Sequence, residues 1–156
     1  MAYILLPDIK TIMLWLNFEK YTQEANDFIK QLAFALGTPE NTMHASRVIE
    51  AFFHTLRERI TPEESMHFVS QLPMYLKAVY INEWKIGSSL KKYKTKEEFL
   101  DSLRTHTNHT AAVDFATDEE AEKNLAAIVA VLRRYVTEGE MNHIMAQLPF
   151  DLVTVR

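Results

Sequence analysis

With 156 residues, 47% of them hydrophobic and 24% charged, the chain has the size to bury one sizeable core in a single domain; a chain near 150 residues hides roughly 68–70% of its unfolded surface. No cysteine occurs, which excludes disulfides, thiolate metal sites and thiol chemistry. A formal net charge of −4 pushes the protein away from nucleic acid and anionic membrane unless one face is locally basic.

The start, Met1 to Leu16 (MAYILLPDIKTIMLWL), is apolar but carries Asp8 and Lys10 and lacks a basic leader and a small-residue cleavage site. It falls short of the ~18 unbroken apolar residues that span a bilayer, so a cytoplasmic location is expected. Beyond it the spacing is helical. Phe28, Ile29 and Leu32 predict a first buried face, and Thr38-Pro39 reads as the start of a second helix. That helix carries the stripe Ala45, Val48, Ile49, Phe52, Phe53, Leu56 and Ile60 at three- and four-residue steps. Thr61 to Glu64 forms a capping box opening a third helix, in which Pro73 predicts a kink or a break with a new short helix.

Lys85 to Thr95 (KIGSSLKKYKT) reads as a linker pinned by Trp84, Leu90 and Tyr93. Thr95–Glu98 then opens a helix burying Phe99, Leu100 and Leu103, and Thr117–Glu120 opens one carrying Ala121, Leu125, Ile128, Val129, Leu132, Tyr135 and Val136. Thr137–Glu140 opens the last helix, interrupted at Pro149.

These elements repeat. Thr61 to Tyr80 (TPEESMHFVSQLPMYLKAVY) and Thr137 to Arg156 (TEGEMNHIMAQLPFDLVTVR) agree at eight of 20 positions, offset by 76 residues. The shared residues include Glu64/Glu140, His67/His143 and Gln71-Leu72-Pro73/Gln147-Leu148-Pro149. A period this long predicts a duplicated unit within one domain. Five extra residues precede the middle helix of the second copy, around Thr105 to Thr117. The expected fold is all-α: two tandem three-helix units, residues 17–84 and 95–156, joined by the linker 85–94 and packed as one bundle with pseudo-twofold symmetry. Residues 1–16 stand apart as an apolar arm.

Asn17 to Tyr21 (NFEKY), Arg57, Thr61 to Glu64, Gln71-Leu72-Pro73, Ala78 to Trp84, Asp114 to Lys123 and Gln147 to Pro149 resemble the bacterial domain of unknown function 2267 family, from Asn17 through Arg156. The resemblance implies an all-helical duplicated fold and brings no catalytic residues and no cofactor. Members tend to begin at the equivalent of Asn17. This leaves two readings of Met1 to Trp15: an upstream stretch preceding a start at Leu16, or an arm that docks on a groove or a second subunit.

Glu-x-x-His occurs twice, as Glu64–His67 and Glu140–His143, the spacing helix bundles use to hold two metal ions. Against a metal site, both glutamates are explained as capping-box partners, and the further glutamate Glu50 is matched by Ala126. His106 and His109, with Asp114 nearby, form a second possible metal pair, for which a solvated loop is the simpler reading. No nucleophile elbow and no glycine-rich phosphate loop are present. Lys85, Lys91, Lys92, Lys94 and Lys96 with Tyr93 and Trp84 form the one basic-aromatic cluster, open to an anion or RNA but explained as a solvated linker.

Gln71 and Gln147 are expected to satisfy a carbonyl freed by the proline, and Arg57 and Arg133 to pair with helix carbonyls or glutamates. The expected function is a non-enzymatic module for protein interaction or assembly, with a homodimer possible through the arm. Its concave surface is expected at the seam between units, near Tyr75, Tyr80, Trp84 and Phe150. The alternative is a metal- or small-molecule-binding bundle using the paired Glu-x-x-His motifs.

Overall fold

Helix α1 (Ile9–Ala35) starts where Asp8 caps it, its carboxylate accepting the Thr11 amide at 2.7 Å. The computed structural model describes residues 7–149, with the side chains of 14–16 outside that description. α1 ends in a Schellman motif: the Thr38 amide donates to Ala33 and that of Gly37 to Phe34, with Gly37 at φ 76°. Only glycine enters that left-handed conformation without strain. Thr38 and Pro39 thus terminate α1 and do not start α2, correcting the expectation. α2 (Thr42–Arg57) begins behind Asn41, whose side chain accepts the His44 amide at 3.0 Å.

α3 (Pro62–Ser70) opens on a complete capping box, with Thr61 accepting from the Glu64 amide and Glu64 from the Thr61 amide. The helix stops at Gln71, and α4 (Met74–Ile81) restarts immediately after Pro73, the break that the missing amide dictates. After the linker come α5 (Lys96–Thr107), a 3-10 turn (Asn108–Thr110), the short α6 (Ala111–Asp114), α7 (Asp118–Leu132) and α8 (Glu138–Ala146). The turn and α6 fall where the five extra residues were expected. Among the described residues every regular element is helical.

α2 lies at the centre, packed on α1, α4 and α5, while α1 also packs on α4 and α7, and α3 on α8. The apolar stripes read from the sequence meet in one buried cluster running from Phe28 and Leu32 through Phe52, Phe53 and Leu56 to Phe99, Leu103, Leu125, Ile128 and Leu132. Burying Leu, Ile or Phe side chains stabilises by ~1.5–3 kcal/mol each. This cluster is therefore the main force on the fold.

Candidate interaction surface and polar clusters

The first half of α1 reaches beyond this core. Ile9 is 80% exposed, Met13 53% and Phe18 66%, and the first buried residue among the described side chains is Phe28. Ile9, Ile12 and Met13 fall at i, i+3 and i+4, one face of the helix. At about 1.5 Å per residue, Ile9 to Tyr21 projects roughly 20 Å. Where α1 meets α4, the side chains of Phe18, Tyr21, Ala25, Met74, Tyr75 and Ala78 frame an open, largely apolar groove of about 440 Å³. The boundary drawn at residue 16 falls inside α1, so the described part of the arm is continuous with the helix that enters the core.

Among the described residues expected to line one concave surface, Tyr75 lines this groove and Tyr80 and Trp84 do not. Tyr80 is 0% exposed, packed on Phe53, Phe68 and Trp84, with its hydroxyl 2.7 Å from that of Ser65. Burial raises its pKa. It belongs to the core, and its expected place on the surface is corrected for that reason. Trp84 lines a separate cavity of about 310 Å³ with Arg57, Glu58 and the linker. Phe150 lies outside the described residues.

The two Glu-x-x-His motifs meet crosswise, because α3 packs on α8. His143 Nε2 lies 3.4 Å from Glu64 Oε1, whereas His67 is exposed to solvent. The Thr61 amide, with smaller help from His143, holds the Glu64 carboxyl below its usual range. No group of three potential ligands converges here or elsewhere among the described residues. In α8 the cap is built differently. Thr137 accepts the Glu140 amide at 3.4 Å, but the Thr137 amide donates to Gln71 Oε1 at 2.8 Å instead of to Glu140. Gln71 therefore caps the facing helix, not a carbonyl at its own proline break. Leu72 and Leu148 are buried, and Pro73 and Pro149 half-buried.

His106 and His109 do not form a pair. His109 is exposed, and His106 stacks edge-on against His54 at 5.7 Å with its Nε2 3.3 Å from Glu58. Asp114 turns elsewhere. At 1% exposure it accepts Arg47 through both oxygens, at 2.8 and 2.9 Å, and contacts His44 Nδ1 at 2.7 Å. Burial pushes its pKa up, but hydrogen bonds from Arg47, Thr110 and His44 outweigh this and leave it below the usual range. An ionised carboxylate can only accept, so His44 carries its proton on Nδ1. The triad ties α6 to α2. Sequence reasoning missed His44 and Arg47, whose one local signal is the i, i+3 spacing of two basic residues on a helix.

Glu58, at the end of α2, gathers the linker. Its side chain meets Lys91 Nζ at 2.8 Å and the Tyr93 hydroxyl at 3.3 Å, while its carbonyl accepts the Lys91 amide. Burial raises its pKa, yet His106 and Lys91 together bring it down to about 2. Lys96 pairs with Glu122 at 2.6 Å. Two of the five clustered lysines are thus neutralised, which weakens the anion reading. The linker is pinned by Lys91 and Tyr93, with Leu90 left 40% exposed. Arg57 Nη1 donates to the carbonyls of Tyr80 and Asn82, at 2.6 and 2.8 Å; the expected carbonyl partners are thus those at the end of α4 and not of its own helix.

These elements define a compact all-helical domain with a projecting apolar helix. The profile of the family described as "Uncharacterized conserved protein (DUF2267)" matches residues 25–154, and the chain belongs to that family. No curated protein matches it.

Proposed function

We propose that the protein is a non-enzymatic interaction module whose docking surface is the exposed apolar face of α1 and the groove that α1 forms with α4. The observation that carries this is a pair of exposed apolar features on α1: Ile9, Ile12 and Met13 left in water on one face, and Phe18, roughly half a turn round the helix from Ile9, bordering an apolar groove. Clustered exposed apolar groups of this kind favour burial against a partner. The partner we favour is a second copy. One chain carries both a projecting apolar helix and an apolar groove, so a twofold arrangement lays each projection in the other's groove. The groove lies within the first unit and not at a seam between units.

The same reading takes residues 17–84 and 95–156 as products of duplication related by a pseudo-twofold axis. It is supported by the like ends of α3 and α8, capped at Thr61 and Thr137 and stopped at Gln71 and Gln147 with backbone angles within a few degrees. Sedimentation velocity over a concentration series tests the docking surface. The wild-type chain is expected to pass from monomer to dimer, and Phe18→Glu, exposed in the monomer, to stay monomeric without loss of stability. A wild-type chain that stays monomeric throughout refutes a second copy as the partner.

A further inference from the structure

The cavity of about 310 Å³ where the end of α2 meets the linker shares no lining residue with the α1–α4 groove. Ile60, Pro62, Trp84, Ile86 and Leu90 give it apolar walls. The Trp84 ring is held edge-on against buried Tyr80 at 5.7 Å. The chain turns into this wall at Glu83, whose φ of 56° lies in the left-handed region that residues other than glycine rarely enter. Small-molecule sites run from roughly 300 to 1,000 Å³, so this one suits a small occupant.

Arg57 supplies the chemistry. It lines the cavity at 9% exposure, and burial lowers its pKa, the mark of a cation held out of water. Its Nη1 serves the carbonyls of Tyr80 and Asn82, whereas Nε and Nη2 have no hydrogen bond and the guanidinium no ion pair among the described residues. The edge left over is the one that Arg47 uses in the same protein: Arg47 Nε and Nη2 grip the two oxygens of Asp114 at 2.8 and 2.9 Å. Such a fork matches a carboxylate in both spacing and charge. Among the described lining residues, the cations Arg57, Lys85 and Lys91 stand against the carboxylates of Glu58 and Glu83, an excess of one positive charge.

We infer that this cavity binds a small monocarboxylate with a flat apolar body, its carboxylate on the Nε–Nη2 edge of Arg57 and its body against Trp84. The single excess charge favours a carboxylate over a phosphate group, which brings roughly two negative charges. Glu58 and Glu83 leave no compensation for the second. The anchor is the buried guanidinium and not the linker lysines, two of which are engaged with Glu58 and Glu122. This site is additional to the α1 surface and does not depend on it.

The test titrates 2-naphthoate into the full isotopically labelled chain and follows the Trp84 indole and Arg57 Nε resonances by NMR. Both should shift saturably, and naphthalene-2-carboxamide, of the same shape without the charge, should bind about tenfold more weakly. Arg57→Lys keeps the charge but not the fork, and should also weaken 2-naphthoate by about tenfold. That variant disturbs the α4 carbonyls as well, so the comparison of acid with amide on the wild-type chain stands without it. Several results would each overturn the assignment and leave the α1 surface unaffected: equal affinity for acid and amide, undiminished binding by folded Arg57→Lys, or shifts confined to Phe18 and Met74 in the α1 groove. Inorganic phosphate binding at least as tightly as 2-naphthoate, or no saturable shift up to ~10 mM, would do the same.

Discussion

Replacing Asp114 with alanine removes the anion that holds Arg47 and His44 beneath α6. Breaking a buried ion pair by deleting one partner costs about 3–5 kcal/mol, because the other charge is left without compensation. The Arg47 side chain is 30% exposed and regains part of its hydration, which reduces the loss below that range, to about 2–3 kcal/mol. A domain of this length loses about 2–4 °C of Tm per kcal/mol, which gives a fall of roughly 4–12 °C. Urea unfolding followed by circular dichroism reads the same change in the midpoint. The double variant Arg47→Met/Asp114→Ala should lose less than the sum of its two single changes, since the second substitution removes the charge the first one stranded. The pH dependence has a fixed sign. The Asp114 pKa is lower folded than unfolded, so its contribution is full above the unfolded value and disappears as pH falls through the folded one. A loss below about 0.5 kcal/mol for Asp114→Ala, or full additivity with Arg47→Met, would refute the assignment of the triad as the anchor of α6.

Glu58→Gln should flatten the acid limb of the stability curve between roughly pH 4.5 and pH 2, the window in which the wild-type carboxylate, held down to about 2, takes up its proton. Urea midpoints at several pH values read it. Arg57→Met should destabilise by about 2–4 kcal/mol through the orphaned carbonyls of Tyr80 and Asn82, with faster amide exchange over α4 as the local signature. Gln71→Leu strips an amide acceptor from the start of α8 and should cost about 0.5–1 kcal/mol, read in the thermal midpoint, without changing self-association. Tyr80→Phe removes one buried hydroxyl contact to Ser65 and should cost about 1 kcal/mol in the same assay.

Helix existence and the core stripe could be read from the chain because they follow local rules. Spacing of three and four residues buries one face, and a threonine followed by glutamate supplies a cap. Arg57 was legible in part: its place in the last turn of α2 suggested helix carbonyls, but the carbonyls it meets are at the end of α4, 23 and 25 residues on. The failures share a different cause. Thr38-Pro39 carried a start signal, but the neighbouring Gly37 used Thr38 to close α1, and Asn41 took over the cap. Tyr80 looked like an interface aromatic until Phe53, Phe68 and Ser65 gathered around it, a consequence of α4 folding back after Pro73. His44 and Asp114 lie 70 residues apart, and Gln71 and Thr137 lie 66 apart. No local periodicity encodes pairings at such separations. They arise only once α2 has met α6 and α3 has met α8.

Hydrogen exchange across α1, measured at increasing protein concentration, bears most directly on the claim that its apolar face is covered by a second copy. Amides from Ile9 to Ala25 should become slower to exchange as the concentration rises, while those around Phe28 and Leu32, already inside the core, stay constant. Exchange over Ile9 to Ala25 that is fast and identical at every concentration would contradict the account.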